Sequence, residues 1–591
     1  MDKNTIWAIA LSTLVIIGAF VIQPMLFPQN QQIVTEQAAE TEATEPTALE
    51  SADSSMFDVN VIKSDDAEVA QQNYTVKTDK IEVIFTNKGG DIISYKLLDH
   101  NDVDTKDYVQ LADNISDFNR TCSIALGTSD MTILNENFNT EVIDENTILF
   151  KKSFNYDGRK ITLGKKYTFK PGEYLFRMDV LIHCDDNLGL NRNGVAYTLR
   201  TSPQIGPHYD PKKNRYENRQ LVAYDGSKYK RVILGTNQFK AFDKIKNFDW
   251  AGVAGKYFVE LVIPNDSSEI KDVYYSSKIE TANYANAQAL VERTAFSGSD
   301  MQDTYYMYFG PRNDKDLKRY NVAENNAWKF GGHKISDCVQ SSGWLNWLEA
   351  ILKIAMELLN KVIHNWGVTI IVLTIILKIL LFPLSKNQSM GTLKMQAIQP
   401  RMQAIQEKYK NDQTRMQMEV QKLYKEAGYN PVSGCLPMLF QFLILFAMYN
   451  LFNNYFEFRG AMFIPNWIPD LSVGDSVKTL NFNIPALGNQ IRILPVIYVI
   501  SQLLFGKITQ SFQPMGANQS QASMKMMMYG MPLFFFFIFY NAPAGLILYW
   551  TVSNIFSLFQ QIIINKMMAE KRAEIAANVN KKLGKAAKAK K

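Results

Sequence analysis

Histidine and cysteine are scarce in this chain, five and four respectively in 591 residues. That scarcity removes several chemistries at once. His100, His183 and His208 are scattered, with no nucleophile elbow, metal-ligand spacing or phosphate-cradling loop around them, and lone histidines of this kind are structural. There is no catalytic constellation, so the chain reads as a non-enzyme with no cofactor. Cys122 and Cys184 are far apart in sequence, which fixes nothing about their geometry, and their pairing stays open. Cys338 is left over, and Cys435 opens an apolar run.

Acidic residues are missing from a second set of places. Six apolar stretches, 6–26, 367–384, 435–452, 493–508, 526–540 and 545–564, contain no Asp or Glu. Several reach the ~20 residues needed to cross a bilayer, and the six together read as transmembrane helices. Basic residues are missing from a third place, 29–55, where Glu36, Glu40, Glu42, Glu45, Glu50 and Asp53 accompany almost nothing aliphatic. Such a composition cannot bury a core and reads as a disordered tether, 28–55, behind an uncleaved N-terminal anchor, 1–27. The anchor reading rests on a long apolar core and on Gln23-Pro-Met-Leu-Phe-Pro28, which offers no small-residue cleavage site.

Charge sets the orientation. Residues 385–433 hold eight Lys/Arg against four acidic residues, and 566–591 hold nine against two, whereas 28–361 carries a net −9. Lys and Arg in short loops near the membrane mark the cytoplasmic side. The segment 385–432, the tail 567–591 and, with six spans, the N-terminus are therefore expected in the cytoplasm, and 28–361 outside.

The outside segment, 56–330, reads as strands. "YLFRMDVLI" puts Tyr174, Phe176, Met178, Val180 and Ile182 on one face, and "IEVIFTNKGGDI" alternates Ile81, Val83 and Phe85 before a Gly89-Gly90 turn. With "FVELVI" from Phe258 and "TYYMYF" from Thr304, these short runs predict an antiparallel sandwich of ~250 residues.

Next comes an amphipathic helix, 341–361, with Trp344, Leu348, Ile351, Ala355, Leu358 and Val362 at helical spacing. It suits a membrane interface, the alternative being an ordinary helix packed under the β domain. Residues 385–432 read as a helical hairpin. Ile398, Met402, Ile405 and Tyr409 form one stripe, Asn411-Asp412 the turn, and Met416, Val420 and Leu423 a second stripe, and a Met stripe of this kind is more often the seam between two helices. The basic, Ala-rich tail either touches RNA or acidic headgroups or only fixes topology.

The spans carry polar stripes. Gly367, Thr374 and Lys378 fall on one face of the second helix; Tyr549, Ser553, Ser557 and Gln560 share a stripe of the last, with Asn554 and Gln561 beside it. Stripes of this kind either join helices or line a wet cavity. Lys378 has no carboxylate partner in any span, which weakens a cation or proton relay and leaves a cytoplasmic snorkel or a wet cavity.

The segments "NWGVTIIVLTIILKILLFPLSKNQ", "MQAIQPRMQAIQEKY", "YKEAGYNPVSGCLPMLFQFLILFAMYNLF" and "PAGLILYWTVSNIFSLFQQ" resemble, in order and spacing, the core of the YidC family of membrane protein insertases. The plan of anchor, tether, large β domain, interfacial helix and five-helix core (362–384 and 435–566) is similar too. The resemblance implies an α-helical membrane protein with six transmembrane helices, a five-helix conserved core and an all-β periplasmic sandwich. It also implies a hydrophilic groove in the inner leaflet, open to cytoplasm and lipid but closed outside. Groove residues expected on this basis are Lys378, Thr374, Gly367, Tyr549, Trp550, Ser553 and Asn554, with a lysine where the family usually has arginine, so that the planar two-pronged donor is lost. Lys394, Arg401, Lys581 and Lys582 are expected to form a cytoplasmic docking surface. The implied partners are nascent integral membrane proteins, the Sec translocase, the ribosome and membrane lipids, and no small-molecule substrate. A polytopic small-solute transporter is the alternative, and a membrane-anchored carbohydrate enzyme a weaker third reading.

Overall fold

The computed structural model describes residues 69–588 apart from 103–104, 157, 210–216, 234–237, 242–247, 278–286, 340–344, 430, 485–486 and 512–525. The expected anchor, the tether and Trp344 lie outside the described residues. The chain divides into two compact units at residues 340 and 341.

The first unit is built from antiparallel sheets. A nine-stranded sheet runs Tyr229–Ile233, Gln220–Tyr224, Trp250–Ala254, Phe258–Pro264, Asp300–Pro311, Leu175–Cys184, Arg159–Thr168, Thr147–Tyr156, Asn139–Asp144 from edge to edge. The predicted face of "YLFRMDVLI" is real: Tyr174, Phe176, Met178, Val180 and Ile182 are all buried. In register with them lie Asp303, Tyr305 and Met307 on one side and Lys165 and Tyr167 on the other. Two smaller sheets cover this face. From the four-stranded one, Phe85 meets Tyr167 and Tyr95 meets Phe176. From the five-stranded one, the Tyr197 hydroxyl donates to Asp303 at 2.6 Å and shares a 2.7 Å bond with the Tyr305 hydroxyl. The result is the expected all-β sandwich.

Gly89 and Gly90 both turn through left-handed backbone, and a Cβ on Gly90 would strike the Phe150 side chain at 2.7 Å. Beside that turn sits a fully buried lysine. Lys165 bonds the Asp91 carboxylate, the Cys122 carbonyl at 2.7 Å and the Gly89 carbonyl at 3.1 Å, while Arg120 holds the other Asp91 oxygen at 2.9 Å. His183, His208 and His333 each face an aspartate, Asp300, Asp113 and Asp249, at 2.7, 3.0 and 2.6 Å. Cys122, Cys184 and Cys338 are buried and unbridged, so the open pairing of the first two is not made. Burial pushes the Cys184 thiol up to about 11 and that of Cys338 to about 12.

The second unit is helical: α1 (Asn346–Ile363), α2 (Trp366–Leu380), α3 (Phe382–Lys408), α4 (Gln413–Ala427), α5 (Pro431–Asn454), α6 (Leu494–Ser511), α7 (Met531–Phe539) and α8 (Ala544–Lys588). The apolar run 367–384 is not one straight helix. It breaks at Leu381, where α2 and α3 meet at 51°, because Pro383 lacks an N–H and its ring crowds the preceding turn. Asp412 caps α4 by accepting from the Arg415 amide at 2.9 Å, and Gly428 closes it in left-handed conformation. Among the described residues, only 544–569 of α8 is by itself long and apolar enough to cross a bilayer; the α2–α3 pair qualifies together, and α6 is a shorter apolar helix.

Candidate functional site

Asn365 caps α2 through the Val368 amide at 3.1 Å, which starts the helix that carries Lys378. Lys378 is half-buried, and its ammonium donates to the Ser557 hydroxyl of α8 at 2.7 Å. Close to the break, the Gln560 side-chain amide, also on α8, donates to the Lys378 carbonyl at 2.7 Å. α2 and α8 are thus joined by two polar contacts built around one residue. Among the described residues, no carboxylate lies within ion-pair distance of Lys378.

A second polar contact joins α8 to α6. The Asn554 amide donates to Gln502 at 2.6 Å and to Ser501 at 3.4 Å. Trp550, one turn earlier, has its ring against Phe539 and Tyr498, and its buried indole N–H has no partner among the described residues. The polar stripe of α8 therefore lies between two helices, with Lys378 and Ser557 on one flank and Asn554 and Gln502 on the other. Ser553 is half-buried on the same stretch of helix.

The other expected groove residues are placed differently. Thr374 is buried one turn before the lysine, but its hydroxyl donates to the Ile370 carbonyl of its own helix at 2.6 Å. Gly367 is a packing position, since a Cβ there would come within 2.1 Å of Phe463. Tyr549 is buried with its ring against Phe452 of α5, 5.4 Å between centroids. Sequence reasoning placed Ser557 and Gln560 on a stripe without choosing them, and it passed over Ser501 and Gln502. Their signal was a polar pair inside "VIYVISQLLFGKI".

The hairpin and the tail come together. Ile398 of α3, Leu423 and Ala427 of α4 and Val579 of α8 form one buried cluster, flanked by Met395, Met402, Ile405, Tyr424 and Ile575. The basic tail is the continuation of the last apolar helix, and its far end is the third arm of the hairpin. Met416 and Val420 instead border an open cleft of about 280 Å³ with Gln406, Gln417 and Gln421. Arg401 and Lys581 are exposed and Lys394 is half-buried, while the Lys582 side chain lies outside the described residues. On α1, Trp347, Ile351, Ile354, Leu358 and Val362 form an exposed apolar stripe, and Leu352 and Met356 face inward.

Comparison with known proteins gives a consistent picture. The family described as 60Kd inner membrane protein matches residues 358–571, and the YidC periplasmic domain matches 73–352. The membrane protein insertase YidC of Treponema denticola is 42% identical over 96% of this chain and 100% of its own length. That of Treponema pallidum is 38% identical over 96% of this chain and 99% of its own. Among solved structures, an active YidC insertase with its first transmembrane domain resolved is 18% identical, with a TM-score of 0.31 over 83% of this chain and 92% of that one.

Proposed function

Because the chain belongs to the YidC family of membrane protein insertases, we propose that it inserts integral membrane proteins along the polar stripe of α8, with Lys378 as the receiving cation. It is an inner membrane protein with a periplasmic β domain, and the family is one of insertases rather than of a known enzyme class. The observation that carries the reading is an ammonium inside an apolar helix, held by one serine hydroxyl and, among the described residues, by no carboxylate. A serine hydroxyl neutralises no charge, so the cation keeps its attraction for an incoming acidic or polar segment. Polar groups of α2, α6 and α8 offer that segment hydrogen bonds that lipid lacks, where each unsatisfied backbone group costs several kcal/mol. The substrate's apolar segment then passes into lipid beside α5 and α8, driven by burial of apolar surface.

The finer topology belongs to this proposal: six spans, both termini cytoplasmic, α1 along the outer interface with its exposed stripe toward lipid, and α3, α4 and the end of α8 in the cytoplasm. So do the Sec translocase and the ribosome as partners. A transporter has no support among the relatives above. Docking through Lys394, Arg401, Lys581 and Lys582 is electrostatic and weakens steeply with salt; if reversing Lys394 and Arg401 and deleting 581–591 leaves ribosome co-sedimentation unchanged, docking lies elsewhere.

The central test is reconstitution of the purified chain in liposomes with a single-span substrate whose translocated tail varies in charge. Lys378→Ala is expected to reduce insertion of the acidic-tailed substrate about tenfold or more, the scale of one lost charge-assisted contact, and Lys378→Arg to retain it. Normal insertion by the alanine variant removes Lys378 from the mechanism.

A further inference from the structure

The segment between α5 and α6 is long and internally organised. Asp475, 2% exposed, accepts from the Trp467 indole at 2.9 Å and from the Ile493 and Leu494 amides at 2.8 and 2.9 Å, which caps α6. Arg492 turns inward as well, donating to the Asp475 carbonyl at 2.6 Å and to Asn541 at 3.2 Å. The Leu471 and Val473 carbonyls accept the Gly545 and Ala544 amides at 2.9 and 2.7 Å, tying the loop to the start of α8. Asp470 is 1% exposed.

Several apolar side chains do the reverse. Phe482 is 64% exposed, and Met462, Val473, Val477, Ile491 and Ile493 are exposed with it. Both carboxylates of 460–493 are inside; Ile468 and Leu471 are buried with them, but six other apolar side chains lie outside, an exposure that suits a lipid surface better than water. The apolar rim does not stop at the loop. Ile493 continues at helical spacing into Val496, Ile500 and Leu504, all exposed on α6. On the rim, Lys478 is exposed and sits in register opposite Ile491 in the hairpin Lys478–Ile484/Gly488–Ile491, the pairing of cation and apolar group that a phosphate headgroup boundary favours.

We propose that this loop is a lipid-seated anchor, its rim of Val473, Val477, Phe482 and Ile491 resting at the headgroup–acyl boundary on the side of the membrane opposite the α3–α4 hairpin. The partner is phospholipid. The proposal takes the membrane and its orientation from the insertase reading above, but its test involves no insertion substrate, so each fails separately. By holding the N-termini of α6 and α8 at the boundary, the anchor fixes the depth at which their polar stripe begins.

The test places an environment-sensitive fluorophore at Phe482→Cys, and separately at Val477→Cys, in the full chain with its four native cysteines replaced, reconstituted in phosphatidylcholine/phosphatidylglycerol vesicles. Expected is quenching by a lipid-borne nitroxide at least about threefold stronger than by aqueous iodide, as for a group seated several ångströms below the headgroups. Stronger quenching by iodide overturns the proposal because the rim is then in water. Protection from both quenchers also overturns it, because the rim is then covered by protein, either the β unit or a second copy.

Discussion

Each unit of this protein holds a lysine away from bulk water, and the two solve the problem in opposite ways. Lys165, in the β unit, is enclosed by the Asp91 carboxylate and the carbonyls of Gly89 and Cys122, with Arg120 completing the cage. Its charge faces a carboxylate that it shares with Arg120, and three donors meet three acceptors. Lys378, in the helical unit, meets one serine hydroxyl and, among the described residues, no carboxylate. Its charge is not neutralised, and donor capacity is left over. The difference separates a cation enclosed by acceptors from one with a single acceptor among the described residues, and burial alone does not make that distinction.

The largest effect is expected where the cage is broken. Lys165→Met leaves Asp91 paired with Arg120 but strands the two buried carbonyls of Gly89 and Cys122, so it should cost about 3–5 kcal/mol, a large part of a domain's stability. The check is the unfolding midpoint of the β unit, followed by near-UV signal from its buried Trp250. A shift of less than about 1 kcal/mol would show that the cage is replaceable by packing, as some buried ion pairs are.

A second buried charge in the same unit sharpens the comparison through pH. Glu260 is fully buried; burial pushes its carboxyl from an ordinary 4.5 up to about 7, against the pull of the Ser202 hydroxyl and amide and the Arg219 charge. A folded value above the unfolded one means that the folded state binds the proton more tightly. Stability is then greatest below pH ~4.5, falls as pH rises towards 7 and stays lower above, by at most about 3 kcal/mol for one group. Glu260→Gln should remove most of that slope between pH 5 and 8. Glu269, raised likewise by burial and then by the neighbouring Asp303 carboxylate, leaves a smaller slope of the same sign. An unchanged slope in the glutamine variant assigns it to other groups.

The two units were not equally readable from sequence. Strand alternation exposed the buried face of Tyr174 to Ile182 because a two-residue period names both the face and its fate. A lysine in an apolar run pointed to Lys378 without any structure. A helical stripe, however, says which residues share a face and not what that face meets, and so Gly367 and Tyr549 were grouped with the lysine although Phe463 and Phe452 cover them. Ile575 and Val579, four apart in an Ala/Lys-rich tail, carry too little apolar signal to announce that they complete the hairpin core. The α2–α3 break was hidden because Pro383 at the end of an apolar run reads as the end of a helix and not as a bend between two.

The smallest expected effect is on the stability of the helical unit. In Lys378→Met the Gln560 contact persists, because it is made to a backbone carbonyl that every residue carries. Ser557 loses a donor, but a serine hydroxyl within a helix can turn to the carbonyl one turn earlier, as Thr374 and Thr551 already do here at 2.6 and 2.7 Å. Methionine matches the length of the lysine stem and suits apolar surroundings better, so no uncompensated charge remains. The change in stability should stay within about 1 kcal/mol, the net worth of one hydrogen bond. Measured beside Lys165→Met in the same chain and detergent, the two substitutions should separate by at least about 2 kcal/mol, in keeping with the two kinds of burial. If Lys378→Met instead destabilises its unit as severely as Lys165→Met does the other, then Lys378 is a structural tie between α2 and α8, and loss of insertion in its variants must be attributed to the fold rather than to a missing charge in the groove.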